Sequence, residues 1–230
     1  MRTFPSALAL LCLSFVTVAC SDAPASAPAP PGRVASPTPA APRAEGPLVA
    51  FLGDSLSAGL HCDADEAFPA VLQRALAADG VPFQLLNAGV SGDTTAGGLS
   101  RVDWILKQEP DIVVIELGGN DGLRGTPLEA TEANLRGIVE RVQAAGAQPA
   151  LLGMLLPPNY GKDYVDGFAA VFARVAEEED LPFVPFFLEG VGGVPELNHP
   201  DGIHPTAEGH RRVAQNLAPF LKELVEGQED

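Results

Sequence analysis

The stretch LVAFLGDSLSAG, residues 48–59, passes without a break from a wholly apolar run into a turn of small and polar residues. Residues 48–52 lack polar alternation, so they read as a strand buried on both faces. Four more short apolar runs share this character, at 83–88, 112–117, 150–155 and 183–187. Between them the spacing turns helical. Helices are expected over 68–78, about 99–107, 168–179 and 206–225, the last with a stripe of Val213, Leu217 and Leu221. Another begins at Thr126, which can cap it with Pro127 in the first turn and Glu129 closing a capping box. Leu135, Ile138, Val139 and Val142 follow there at i, i+3, i+4 and i+7. Strands alternating with helices predict an α/β domain, a doubly wound, five-stranded parallel sheet with helices on both faces.

In such sheets ligands bind beyond the carboxyl ends of the strands, where the chain leaves strand for helix. Ser55 lies in the turn after the first run, Gly92 in the turn after the second and Asn120 in the turn after the third. All three turns open on one edge, and Asp201, Gly202, Ile203 and His204 come just before the last helix. Gly, Asn and Asp are ordinary turn and capping residues, so each alone means little. Together they supply what serine catalysis needs: a hydroxyl, an imidazole, a carboxylate three residues before it and neutral donors for an oxyanion. The three-residue spacing lets Asp201 reach Nδ1 of His204, leaving Nε2 to take a proton from Ser55. The Asn120 amide and the backbone N–H groups of Ser55 and Gly92 can face a developing oxyanion. Asp54 reads as a helix cap or brace for the serine turn.

The blocks GDSL at 53–56, Gly92, GND at 119–121 and DGIH at 201–204 resemble the four signature blocks of the SGNH hydrolases, also called GDSL esterases and lipases. The stretches GDSLSAG, SGDTT, ELGGNDGLRG, NYG and DGIHP are most similar to the bacterial branch of multifunctional thioesterase, protease and lysophospholipase enzymes and arylesterases. The likeness spans about residues 48–220. It implies a flavodoxin-like sheet and a shallow, open site. It also implies Ser55 as nucleophile, His204 as base and Asp201 as acid, with Ser55, Gly92 and Asn120 as oxyanion hole. The implied reaction is hydrolysis of aryl esters, short to medium acyl esters, lysophospholipids and thioesters through an acyl-Ser55 intermediate. Leu156, Pro157 and Tyr160, after the fourth strand run, are candidate walls of an acyl pocket.

Ahead of the domain, Arg2 precedes an apolar run over 7–19 that is too short to span a bilayer and reads as a secretory signal. Val18, Ala19 and Cys20 resemble a lipobox, which makes Cys20 the lipidated residue, although Thr17 stands where an aliphatic side chain is usual. Residues 20–46 are mostly Ala, Pro and Ser and read as an extended tether, leaving 47–230 as the catalytic domain. The expected product is an exported monomer, held to a cell-envelope membrane by lipid or periplasmic if the lipobox reading fails. A net charge of −16 excludes a basic phosphate-binding face, so no nucleic-acid partner is expected. With Cys12 removed and Cys20 acylated, Cys62 has no partner and no disulfide is predicted, a Cys20–Cys62 bridge being the alternative if Cys20 is not acylated. Without a Walker-type loop or dinucleotide fingerprint, no cofactor and no metal are expected. Three alternatives stay open: a carbohydrate O-deacetylase with the same residues, a metal site drawn from His199, Asp201, His204 and His210, and a non-catalytic surface lipoprotein.

Overall fold

The computed structural model describes residues 46–228. The signal segment, Cys20 and all of the tether but Gly46 lie outside the described residues.

The chain runs β1 (Leu48–Gly53), α1 (Ser55–Ala58), α2 (Phe68–Ala78), β2 (Gln84–Gly89), α3 (Thr95–Leu106), β3 (Ile112–Glu116), α4 (Gly119–Leu123), α5 (Leu128–Ala144), β4 (Gln148–Leu152), α6 (Lys162–Glu178), β5 (Phe183–Val184) and α7 (Ala207–Glu226). The five strands pair in parallel in the order β2-β1-β3-β4-β5. This is the flavodoxin-like doubly wound order, in which the chain first moves left of β1 and then right of it. Right-handed crossovers put α2 on one face, where it packs on α7, and α3, α5 and α6 on the other.

β1, β3 and β4 are the buried centre, with Val49, Ala50, Leu52, Ile112, Val113 and Leu151 wholly inaccessible. Each large aliphatic side chain so buried contributes on the order of 1.5–3 kcal/mol, which makes this ladder the most stable part of the fold. The edge strands differ from the sequence expectation. β2 is only partly buried, because one of its sides has no neighbouring strand. β5 stops after two residues, where Pro185 removes the N–H that a longer ladder needs, and Phe187 donates instead to the Gly153 carbonyl.

Helix starts also shift. α3 begins four residues earlier than expected, where Thr94 caps it by accepting from the Gly97 N–H. α6 begins at Lys162 rather than at residue 168. Thr126 does not cap α5: Pro127 holds the cap position without a side-chain bond, and the Thr126 carbonyl accepts from the Tyr164 hydroxyl at 2.8 Å.

Strand register aligns the loops that carry the chemistry. Gly53 of β1 lies level with Gly89 of β2 and Glu116 of β3, so three strands end on one line and their loops rise together.

Candidate active site

Ser55 opens α1 directly after β1, in the gap where strand order reverses. Asp54 caps this helix as expected, its Oδ1 accepting from the Leu56 N–H at 2.9 Å. Beneath the turn lies a residue that sequence reasoning passed over. Glu116, 1 % exposed, ends β3, and its Oε2 accepts from the Asp54 N–H, the Ser57 N–H and, at 2.7 Å, the Ser57 hydroxyl. Gly53 is obligatory here: a Cβ would stand 2.1 Å from Ser57 Oγ and 2.6 Å from Glu116 Oε2.

Glu116 and Asp54 are two carboxyl groups in one dry pocket. Burial first, and then the Asp54 charge, push Glu116 well above the ordinary range. Burial likewise lifts Asp54 to about 6, against the opposing pull of the Leu56 N–H and the Asn120 amide. A carboxyl whose folded pKa is raised contributes its stability fully below the unfolded value and loses it as pH rises toward the folded one. His210 acts in the opposite sense: burial lowers it to about 4, and its contribution fades as pH falls below the unfolded value of 6.5. Comparison with Glu116→Gln at each pH cancels the histidine and reports the Glu116–Asp54 carboxyl pair. The glutamine keeps an acceptor for the serine turn and cannot ionise. It is expected to gain on the wild type by up to about 1.4 kcal/mol per pH unit above pH 5. Thermal unfolding of both proteins from pH 5 to 8 checks this, and parallel melting curves would refute it.

Above the turn, Ser55 Oγ lies 2.8 Å from His204 Nε2, and His204 Nδ1 lies 2.8 Å from Asp201 Oδ2. The other Asp201 oxygen accepts from the N–H groups of Ile203 and His204, both at 3.0 Å. Burial works to raise the Asp201 pKa and is outweighed by these two N–H groups and the His204 ring, which hold it down at about 2. Asp201 is therefore an anion at neutral pH, and the ring proton of His204 sits on Nδ1. The loop is clipped in place by the His199 N–H donating to the His204 carbonyl at 2.7 Å and by an antiparallel bridge between Asn198 and Pro205.

The donor side assembles from two other loops. The Asn120 Nδ2 group, in α4, donates to Asp54 Oδ2 at 3.0 Å, which fixes the amide plane and leaves its second hydrogen for another acceptor. Gly92 has φ of 81°, a backbone state that side chains resist, and its carbonyl accepts from Arg124 Nη2 at 2.9 Å. Arg101 binds the Gly53 and Ala88 carbonyls and Asp93, tying the first two loops together. The Asp121 carboxylate takes both the N–H and the hydroxyl of Thr95, joining the third loop to α3.

Ser55, Gly92, Asn120 and His204 line one cavity of about 540 Å³ whose other walls are largely apolar, including Leu56, Leu60, Leu123, Met154, Phe186 and Leu188. Leu156 and Pro157 line it too. Tyr160 does not: its hydroxyl donates to the Leu123 carbonyl at 3.2 Å, which ties it to the backbone of a lining residue.

His210 stands apart from the other residues of the alternative metal set. It is buried beside Phe68, its Nδ1 accepting from the Phe68 N–H, and it stays apart from the histidine and carboxylate cluster at the mouth. Among the described residues Cys62 has no disulfide partner, and its Sγ lies 3.7 Å from the Pro205 carbonyl. Chemically, the arrangement can pass a proton from a serine hydroxyl to a carboxylate-oriented imidazole beside converging N–H donors.

Residues 51–212 match the GDSL-like Lipase/Acylhydrolase family. The chain is 47 % identical to esterase TesA of Pseudomonas aeruginosa over 175 residues, covering 76 % of this chain and 87 % of that one. It is 43 % identical over 176 residues to thioesterase 1/protease 1/lysophospholipase L1 of Escherichia coli, covering 76 % and 83 %. Among solved structures, the psychrotrophic esterase EstA from Pseudoalteromonas sp., inhibited by monoethylphosphonate, superposes with a TM-score of 0.74 at 34 % identity, over 78 % of this chain and 98 % of that one.

Proposed function

The chain belongs to the GDSL-like lipase/acylhydrolase family and is a serine ester hydrolase, and from that premise we propose that Ser55 carries the acyl group, with His204 as general base and acid and Asp201 as its orienting anion. The observation that carries this reading is the continuous chain of short contacts from Ser55 Oγ through the His204 ring to Asp201 at the mouth of an apolar cavity. His204 Nε2 takes the serine proton as Oγ attacks the ester carbonyl, and returns it to the leaving alcohol. The oxyanion is received by the Ser55 and Gly92 N–H groups and the Asn120 amide. Water then repeats the sequence on the acyl-enzyme.

The substrates are esters with an acyl chain longer than acetyl, lysophospholipids among them. The cavity supports this, because its volume falls in the range of small-molecule pockets and its walls offer few polar partners to a sugar. Each methylene placed in such a pocket gains about 0.8 kcal/mol, so kcat/KM is expected to rise about fourfold per carbon until the pocket is full. A p-nitrophenyl ester series from acetate to palmitate measures the profile, and mass spectrometry after treatment with an ethylphosphonate ester locates the modified residue at Ser55. A profile that peaks at acetate would favour the O-deacetylase. Leu123→Trp, at a half-buried wall position, is expected to lower turnover of octanoyl and longer esters about tenfold or more while sparing acetate, by loss of two or more buried methylenes.

Among the described residues no helix is long and apolar enough to cross a membrane. The apolar run before Cys20 and the Ala/Pro/Ser-rich stretch after it support an exported domain held to a membrane by lipid on Cys20. Mass spectrometry of the mature N-terminus tests for that lipid.

A further inference from the structure

The tip of the turn after α1 carries an imidazole that acyl transfer does not use. His61 has φ of 73°, in the left-handed region, and this turn brings its ring over the Asp201 loop. Its Nε2 lies 3.7 Å from Asp201 Oδ2, on the carboxylate oxygen that also meets His204 Nδ1 at 2.8 Å. One ligand atom from each of the three residues lies within 4.8 Å of the others. Nitrogen and oxygen ligands about 2.0–2.2 Å from a tetrahedral zinc are about 3.4 Å apart, so these separations need only small side-chain rotations to meet one ion. His61 and Asp201 are 51 % and 36 % exposed, which leaves the group open to ions from solvent.

We propose that His61 Nε2, Asp201 Oδ2 and His204 Nδ1 form a site for Zn²⁺ or a similar imidazole-binding divalent cation, with water completing the shell, and that occupancy switches the hydrolase off. The inference rests on the proposed roles of Ser55, His204 and Asp201. Coordination needs the lone pair of His204 Nδ1, so the ring proton moves to Nε2, where it points at Ser55 Oγ. The hydroxyl then has no acceptor for its own proton, and the Asp201 oxygen that oriented the ring is bound to the cation. Nothing else in the site need move. Two imidazoles with one carboxylate suit zinc, whereas magnesium and calcium prefer all-oxygen shells and are expected to have no effect at the same concentrations.

The rival location is Cys62 with His199, whose Sγ and Nε2 are 3.9 Å apart. The test separates the two. Zinc chloride is titrated into the full chain, with calorimetry on the Ser55→Ala protein reporting binding alone and ester hydrolysis by the wild type reporting inhibition. One zinc per chain, inhibition that follows binding, and recovery with EDTA are expected. His61→Asn, chosen because asparagine tolerates a positive φ, is expected to keep basal hydrolysis and to weaken zinc about tenfold or more in both readouts. Cys62→Ser is expected to change neither. Absence of saturable zinc binding overturns the proposal, as does inhibition undiminished in His61→Asn or abolished by Cys62→Ser. Hydrolysis that survives Ser55→Ala would instead overturn the catalytic reading beneath it.

Discussion

Ser55→Ala is expected to lower kcat for ester hydrolysis by about ten-thousandfold to millionfold, and His204→Ala by a similar factor. The reason is that the two side chains act as one unit. Without Oγ there is no atom to acylate, and without Nε2, now 2.8 Å away, the hydroxyl keeps its proton. The losses are therefore strongly non-additive, and the double variant is expected to be no slower than either single one. Asp201→Asn belongs to the same unit and is expected to cost about a thousandfold to ten-thousandfold, because an amide can donate to Nδ1 and so favours the tautomer with its proton on Nε2. Folding should survive all three changes: Ser55 is small and His204 and Asp201 sit at the mouth. Circular dichroism and steady-state kinetics on the four proteins check the set. Losses that multiply in the double variant would mean that Ser55 and His204 serve separate steps.

Asn120→Ala is expected to reduce kcat about a hundredfold to a thousandfold with KM little changed, the signature of a donor that matters only once charge develops on the substrate oxygen. The contact at 3.0 Å between Asn120 Nδ2 and Asp54 Oδ2 makes the prediction sharper. That bond aims the amide before substrate arrives, so Asp54→Ala is expected to produce a smaller loss of kcat through misorientation, together with about 1 kcal/mol of destabilisation from the lost cap. Asn120→Asp should be worse than Asn120→Ala, since it sets a carboxylate against both Asp54 and the oxyanion. Steady-state kinetics on long and short esters decide it. An equal rise in KM with unchanged kcat would place Asn120 in ground-state binding instead.

How far the site could be read in advance depended on how local each signal was. Asp201 and His204 were legible because three residues in a turn bring their side chains together whatever the rest of the chain does. Ser55, Gly92 and Asn120 were legible as loop residues because strand runs and helical periodicity put all three at strand ends, and their likeness to a known set of blocks assigned the roles. Glu116 was overlooked although its signal was present: a carboxylate closing a wholly apolar strand, IVVIE, has no comfortable place in a core unless it is neutral and bonded. Tyr160 was misplaced because position after a strand fixes which edge a residue is on, and not which way its ring points.

The sequence by itself determined the α/β class, the parallel sheet and the sheet edge on which the loops of Ser55, Gly92 and Asn120 open. These follow from hydrophobic period, turn chemistry and short-range spacing, which are properties of neighbouring residues. Only the tertiary structure decided the short β5 and the exposed flank of β2, the burial of Glu116 under the serine turn, the Arg101 and Arg124 clamps on the loop carbonyls, and the meeting of His61 with Asp201 across 140 positions of chain. Contacts of that kind depend on how loops from different strands converge, and burial and charge at such a junction exist only once the sheet has brought them together.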